Sequence, residues 1–213
     1  MAAERGLRER KKRQTRQAIA EAAHRLFAER GFDAVTVAEV AREADVSEGT
    51  VFNYFPAKED LFYGQMETFE AALVEAVRTR APDESVLAAF RRFVLERSKG
   101  LETEERADVI VKAARVIDAS PSLQAREREI VAEYTRALAE LIANETKARA
   151  SDVEPLAVAH ALMGAQRALT EHVRAAVLAG MRGPRLAAYV RAQGKRAFAR
   201  LERGLGDYAL RRR

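Results

Sequence analysis

Seven residues between positions 36 and 58 carry groups suited to one kind of chemistry: Thr36, Ser47, Gly49, Thr50, Asn53, Tyr54 and Lys58. Short hydroxyls and an amide present donors and acceptors that match base edges, and asparagine pairs in bidentate fashion with adenine. Tyr54 and Lys58 suit phosphate oxygens, contacts that set orientation rather than sequence preference. Gly49 permits close backbone approach. Thr36 opens a helix whose first N–H groups favour an anion. The alternative is that short helices pack together here as structure only, and the pattern alone leaves both readings open.

Positioning these groups requires short helices with one apolar side each. Thr36-Val37-Ala38-Glu39 spells a capping box, and Val37, Val40, Ala41 and Ala44 repeat at helical spacing behind it. Asp45-Val46 makes a tight turn, and Ser47 can cap the next helix. In that helix Val51 and Phe55 point inward at i and i+4, so the polar residues project outward. Pro56 ends it. A longer helix precedes the pair, over about 12–30, with Ile19, Ala23, Leu26 and Phe27 on one face and Gly31 as its stop. Two short helices joined by a tight turn behind a supporting helix form a helix-turn-helix, whose second helix enters the DNA major groove.

The rest of the chain also reads as helix. Alanine, glutamate, arginine and leucine dominate, and all favour helix. The segment from Phe32 to Val37 alternates briefly, but it is too short for a strand and is flanked by helix signals. A fourth helix runs to about Arg80 with Leu61, Phe62, Met66, Phe69, Leu73 and Val77 as its apolar side. Five more are expected over about 83–99, 103–118, 122–149, 154–179 and 185–204. Between them lie breaks at Gly100, Ser120-Pro121, Ser151-Asp152 and Gly180 to Pro184. The fold class is all-α with about nine helices: an N-terminal helix-turn-helix domain over 1–58 and a C-terminal helical domain over 59–213.

The order of residues from Thr36 to Leu61, with Ser47-Glu48-Gly49-Thr50-Val51-Phe52-Asn53-Tyr54-Phe55-Pro56 at its centre, strongly resembles the TetR family of bacterial regulators. The run Ala22-Ala23-His24-Arg25-Leu26-Phe27-Ala28-Glu29-Arg30-Gly31-Phe32 matches that family's first helix. The close resemblance covers about residues 12–63, roughly a quarter of the chain. It implies a homodimeric DNA-binding regulator, usually a repressor released from a palindromic operator by a small ligand. It also implies that Thr36, Ser47, Gly49, Thr50, Asn53, Tyr54 and Lys58 fall where the family contacts DNA. Three residues depart from the pattern. Asp45 stands where glycine is usual in the turn, although aspartate tolerates the left-handed conformation. Phe52 stands where tyrosine is common and lacks its hydroxyl. Glu48 replaces a frequent cation; it can repel phosphate, accept from a cytosine amino group or cap the helix, and capping is preferred because the helix starts there. The recognition helix therefore has no Lys or Arg of its own.

Charge by position agrees with that chemistry. The total is +5, but residues 1–16 hold seven cations (Arg5, Arg8, Arg10, Lys11, Lys12, Arg13, Arg16) against Glu4 and Glu9. The chain also ends in Arg211, Arg212 and Arg213. A basic arm binds phosphate or is simply a solvated tail. There is no cysteine, which removes disulfides, thiolate metal sites and cysteine nucleophiles. His160 and His172 lie twelve apart, and no metal-ligand spacing, phosphate-cradling glycine loop or nucleophile elbow occurs. No enzyme, metal or cofactor is expected. The longest uncharged run, Pro155 to Gln166, has 12 residues against roughly 20 for a membrane span, so a cytoplasmic protein without membrane contact is expected.

Two apolar stripes near the C-terminus, Val158-Leu162-Ala165-Leu169-Val173-Ala176 and Leu186-Tyr189-Val190-Ala197-Phe198-Leu201-Leu205, are either core or a face between copies. The resemblance implies that the last two long helices pair across a two-fold axis. A second stripe on the eighth helix, His160, Met163, Arg167 and Thr170, mixes polar and soft apolar groups. With Met66, Phe69, Phe90, Phe93 and Tyr134 it can line a ligand cavity; the other reading makes the aromatics ordinary core and the polar stripe solvent-facing. The alternative for the whole chain is a helical binding module that keeps this fold without binding specific DNA.

Overall fold

Helix boundaries in this chain fall where a residue cannot continue the helix or can cap the next. The structure is a computed structural model that describes residues 2–205 and 208, without the side chains of residues 2–9, 65 and 67. The side chains of Arg5 and Arg8 in the basic arm, and Arg211 to Arg213 at the end, lie outside the described residues. Nine α-helices are described, in the order α1 (Ala2–Arg30), α2 (Val37–Glu43), α3 (Glu48–Tyr54), α4 (Lys58–Arg78), α5 (Val86–Arg97), α6 (Glu104–Asp118), α7 (Pro121–Thr146), α8 (Glu154–Leu178) and α9 (Gly183–Leu205), with a 3-10 turn over Ser98–Leu101.

Three boundaries differ from expectation, each for a local reason. Helix α1 begins at Ala2 rather than near Lys12, because the arm consists mostly of strong helix formers. Helix α5 starts only at Val86: Asp83 sits at φ 65, and the Ser85 hydroxyl accepts from the Ala88 N–H. Helix α7 stops at Thr146 because Lys147 takes φ 53.

The chain divides into two compact units. The first takes residues 1–67 and 115–127, and therefore includes the join of α6 to α7. Its core is Ile19, Ala23 and Phe27 of α1, Phe32, Val35, Val40, Val51, Phe55 and Leu61, together with Ile117 and Leu123 from the second stretch, all buried. Phe27 stacks at a tilt on Phe32 with ring centroids 4.9 Å apart. The second stretch is bonded in at three points. The Tyr63 hydroxyl donates to the Leu123 carbonyl at 3.0 Å, the Ser120 hydroxyl donates to Asp33 at 2.9 Å, and Arg126 pairs with Asp60 at 3.0 Å. Asp60 also accepts from the Ala57 N–H, so one carboxylate caps the start of α4 and holds α7.

The second unit takes residues 68–114 and 128–213. Leu73 and Val77 of α4, Phe90 of α5, Leu138 and Ile142 of α7, Leu162 and Met163 of α8 and Phe198 of α9 form its main cluster. A smaller one joins Ala107 and Val111 to Ala176, Val177 and Leu186. The two C-terminal stripes are thus core within the chain: Val158, Leu162, Leu169, Ala176, Leu186 and Phe198 are buried, with Tyr189, Val190 and Leu201 packed against them. Gly194 lets α9 close on α5, since a Cβ there would lie 2.7 Å from the Leu95 side chain. Arg80 is buried: it pairs with Glu145 and also donates to the Val77 and Glu84 carbonyls at 2.8 and 3.0 Å. Among the described residues no helix is long and apolar enough to cross a membrane.

Candidate nucleic-acid interface

The turn between α2 and α3 is built by two backbone bonds. The Val46 N–H donates to the Ala41 carbonyl at 2.9 Å and the Asp45 N–H to the Arg42 carbonyl at 3.2 Å, the pairing of a Schellman motif. That motif needs a left-handed residue, and Asp45 supplies it at φ 52. Ser47 follows in extended backbone, and its hydroxyl accepts from the Thr50 N–H at 3.1 Å. A chain that has just ended one helix therefore restarts another within four residues.

Upstream, Thr36 and Glu39 form the full capping box: the Glu39 carboxylate accepts from the Thr36 N–H at 2.8 Å, and the Thr36 oxygen accepts from the Glu39 N–H at 3.3 Å. Arg30 donates to the same carboxylate at 2.8 Å. The backbone bond from Thr36, followed by the bond from Arg30, holds the Glu39 carboxyl down to about 2.

Helix α3 separates its faces cleanly. Val51 and Phe55 are 1% and 2% exposed, Thr50 and Tyr54 are half-buried, and Glu48, Gly49, Phe52 and Asn53 face outward. Arg16 of α1 fixes the end of the helix by donating to the Tyr54 carbonyl at 2.8 Å and stacking over the Phe55 ring at 4.3 Å. Residue by residue, the groups singled out in the sequence are not equally available. The Ser47 and Thr50 hydroxyls bond each other at 2.8 Å. Thr36 is engaged by Glu39 through both its N–H and its hydroxyl. The Lys58 ammonium sits 4.2 Å over the Phe32 ring, and burial pulls its pKa down although Asp33, Glu59 and Glu39 oppose the shift. Asn53 and Gly49 are open to solvent. Arg10, Lys11, Lys12 and Arg13 are exposed along α1, and Arg42 is exposed on α2.

Sequence reading missed the clamping role of Arg16, which its spacing does not reveal. It noted Phe52 only for a missing hydroxyl, whereas the ring is 47% exposed. An aromatic next to the inward Val51 on a short helix was the available signal, since successive residues step about 100° round the axis.

Of the second group of residues, Phe69, Phe90, Phe93, Tyr134 and Met163 share the main cluster of the second unit. Phe69 and Phe93 lie 5.5 Å apart, and the Arg97 guanidinium, also unforeseen, stacks over both at 5.0 and 5.7 Å. His160 is exposed, and so is Arg167, which pairs with Glu171 at 3.0 Å. Met66 is half-buried and belongs to the first unit. The stripe divides because a step of three residues turns about 60° back from a full circle. Met163 is consequently buried and Thr170 half-buried, bonded to the Gln166 carbonyl at 3.2 Å, while His160 and Arg167 reach solvent.

Comparison with known proteins agrees with this geometry over most of the chain. Residues 19–63 match the bacterial regulatory proteins of the tetR family, and residues 84–206 match the MftR C-terminal domain. The chain is 27% identical over 161 residues to a protein described as the mycofactocin biosynthesis transcriptional regulator MftR of Mycobacterium tuberculosis, covering 72% of this chain and 77% of that one. It is 30% identical over 142 residues to the HTH-type transcriptional regulator TcmR of Streptomyces glaucescens, covering 65% of this chain and 63% of the relative. The fold is that of NalD, the secondary repressor of the MexAB-OprM multidrug efflux pump in Pseudomonas aeruginosa, with a TM-score of 0.54 at 21% identity, covering 88% of this chain and 97% of that one. With residues 19–63 and 84–206 both matched, the chain is a DNA-binding transcriptional regulator and belongs to the tetR family.

Proposed function

We propose that this regulator is a cytoplasmic homodimeric repressor that binds a palindromic operator and is released by a small molecule. The observation that carries the reading is α3: capped by Ser47, clamped by Arg16 and outward-facing through Glu48, Gly49, Phe52 and Asn53. In this reading residues 1–58 form the DNA-binding domain and 59–213 the ligand-binding and dimerisation domain. Asn53 reads a base edge and Gly49 admits the backbone. Thr36, Ser47, Thr50, Tyr54 and Lys58 contact phosphates or orient the groups that do. Two copies place two such helices about 34–36 Å apart, one turn of duplex. The faces of α8 and α9 left exposed, with Ala157, Gly164 and Ala168 on one and Ala188, Ala192 and Ala199 on the other, support pairing of these helices between copies.

The ligand end is supported by the aromatic cluster of Phe69, Phe90, Phe93, Tyr134 and Met163, with Arg97 at its edge. A ligand there releases DNA only if it binds better to a dimer whose recognition helices are wrongly spaced. Fragments of the source genome bound by the full chain, recovered and tested over a salt series, decide the reading. A single palindromic site is the expected result, and promoters of mycofactocin biosynthesis genes, after which the M. tuberculosis relative is named, are the first to examine. Removing residues 1–16 weakens binding and flattens the salt slope; unchanged affinity removes the arm from the interface.

A second reading, a helical module that binds no specific DNA, has one observation in its favour. Helix α3 carries no cation, and both Arg16 and Lys58 beside it are packed on aromatic rings. Recovery of only sequence-independent, salt-sensitive fragments would favour it.

A further inference from the structure

The outward face of α3 holds three side chains able to meet a base edge: the Glu48 carboxylate, the Phe52 ring and the Asn53 amide. The hydroxyls of Ser47 and Thr50 bond each other at 2.8 Å, which takes up one of their two O–H donors, and the Thr50 and Tyr54 side chains are half-buried. Phe52 differs in kind from its neighbours. At 47% exposed it is the only large apolar side chain left open in the first unit among the described residues. A single exposed hydrophobe is unremarkable on a protein surface. On a seven-residue helix whose other outward side chains are Glu48 and Asn53, however, it is the one apolar group offered to a partner. One turn back stands Gly49, where an added Cβ would meet only the Ser47 hydroxyl at 3.8 Å, so nothing on the helix shields the ring from a base pair.

Chemistry then limits what the ring can recognise. A phenyl group neither donates nor accepts an ordinary hydrogen bond and carries no charge, so it has no attraction for a phosphate. In the major groove the 5-methyl of thymine is the one apolar group on a base edge. Laid instead on a cytosine amino group, the ring would strip water from a donor and leave it unpaired, which is costly. We infer that Phe52 packs on a thymine methyl and makes thymine, rather than cytosine, the required pyrimidine at one position of each operator half-site. The inference rests on the operator-binding reading above and names the base that reading leaves open.

The test changes DNA rather than protein first. With the full chain and its selected operator, each thymine is replaced in turn by deoxyuridine, which removes only the methyl group. One position per half-site is expected to lose affinity by about fourfold, the ratio for returning one methyl-sized apolar group to water. Replacing that T·A pair by C·G weakens binding further, and 5-methylcytosine at the same place recovers part of the loss. Phe52→Ala binds the thymine and uracil operators equally, and because the ring is half-exposed its melting temperature stays close to that of the parent. Uracil tolerated at every position overturns the inference, as does a uracil penalty that persists in Phe52→Ala. If no operator is selected at all, the operator-binding reading falls and takes this one with it, an outcome distinct from a site that is bound but indifferent to the methyl.

Discussion

The two units of the chain are held together by different means. In the first, α2 and α3 have seven residues each, too short to persist alone in water. They are held by caps, a left-handed turn residue and clamps such as Arg16 on Tyr54. In the second, helices of 12 to 26 residues pack apolar faces around Phe90, Leu138, Leu162 and Phe198, and Arg80 adds a buried ion pair with Glu145. A short helix exposes most of its surface, which suits a surface that must read another molecule. A long one hides its face and derives stability from what it hides. The difference explains why the outward residues of α3 are the chemically distinctive ones, whereas those of α8 and α9 are mostly alanine, glycine and solvated ions.

The contrast breaks most visibly at the buried ion pair. Glu145→Ala leaves the Arg80 charge, 1% exposed, without its carboxylate, and a loss of about 3 kcal/mol is expected from equilibrium denaturation. Gly194→Val forces three carbons into the space held by Leu95 and Leu169. Overpacking of this kind costs about 2 kcal/mol, read as a lower melting temperature. In the first unit Ser47→Ala removes the cap of α3 at about 1 kcal/mol. Hydrogen exchange at the Thr50 amide sharpens the comparison, because it rises far more than exchange in α8. A global loss from Ser47→Ala matching that from Glu145→Ala would erase the distinction.

The smallest effect follows pH. The Glu39 carboxyl, held down to about 2 from an ordinary value near 4.5, binds its proton less readily folded than unfolded. Its contribution is complete above the unfolded value and is lost as pH falls toward 2. Between pH 7 and 5 the capping box should leave stability flat. Below about 4.5 the parent loses stability faster than Glu39→Gln, so that the difference between them narrows. A difference that is constant from pH 7 to 2 would place Glu39 outside the network.

Local signals were readable because their partners lie within a few residues. Thr36 and Glu39 are three apart, as are Ser47 and Thr50, and Asp45 stands at the one place in the turn that needs a left-handed residue. Most helices follow from breaks visible as proline, glycine or a capping serine. What spacing concealed was which hydroxyls turn toward each other. Ser47, Thr50 and Thr36 have the right types for DNA, but the structure uses their oxygens within the protein.

Composition and periodicity alone thus determined an all-helical chain, the two short helices and their inward residues Val51 and Phe55, because hydrophobic spacing and caps are properties of neighbouring residues. Only the tertiary structure decided that residues 115–127 join the first unit through Asp33–Ser120 and Asp60–Arg126, 87 and 66 positions apart. It alone made the C-terminal stripes core, turned His160 and Arg167 outward and left Phe52 uncovered. Each of these depends on which surface meets which across long separations, and a side chain's burial is set by that meeting rather than by its own place in the chain.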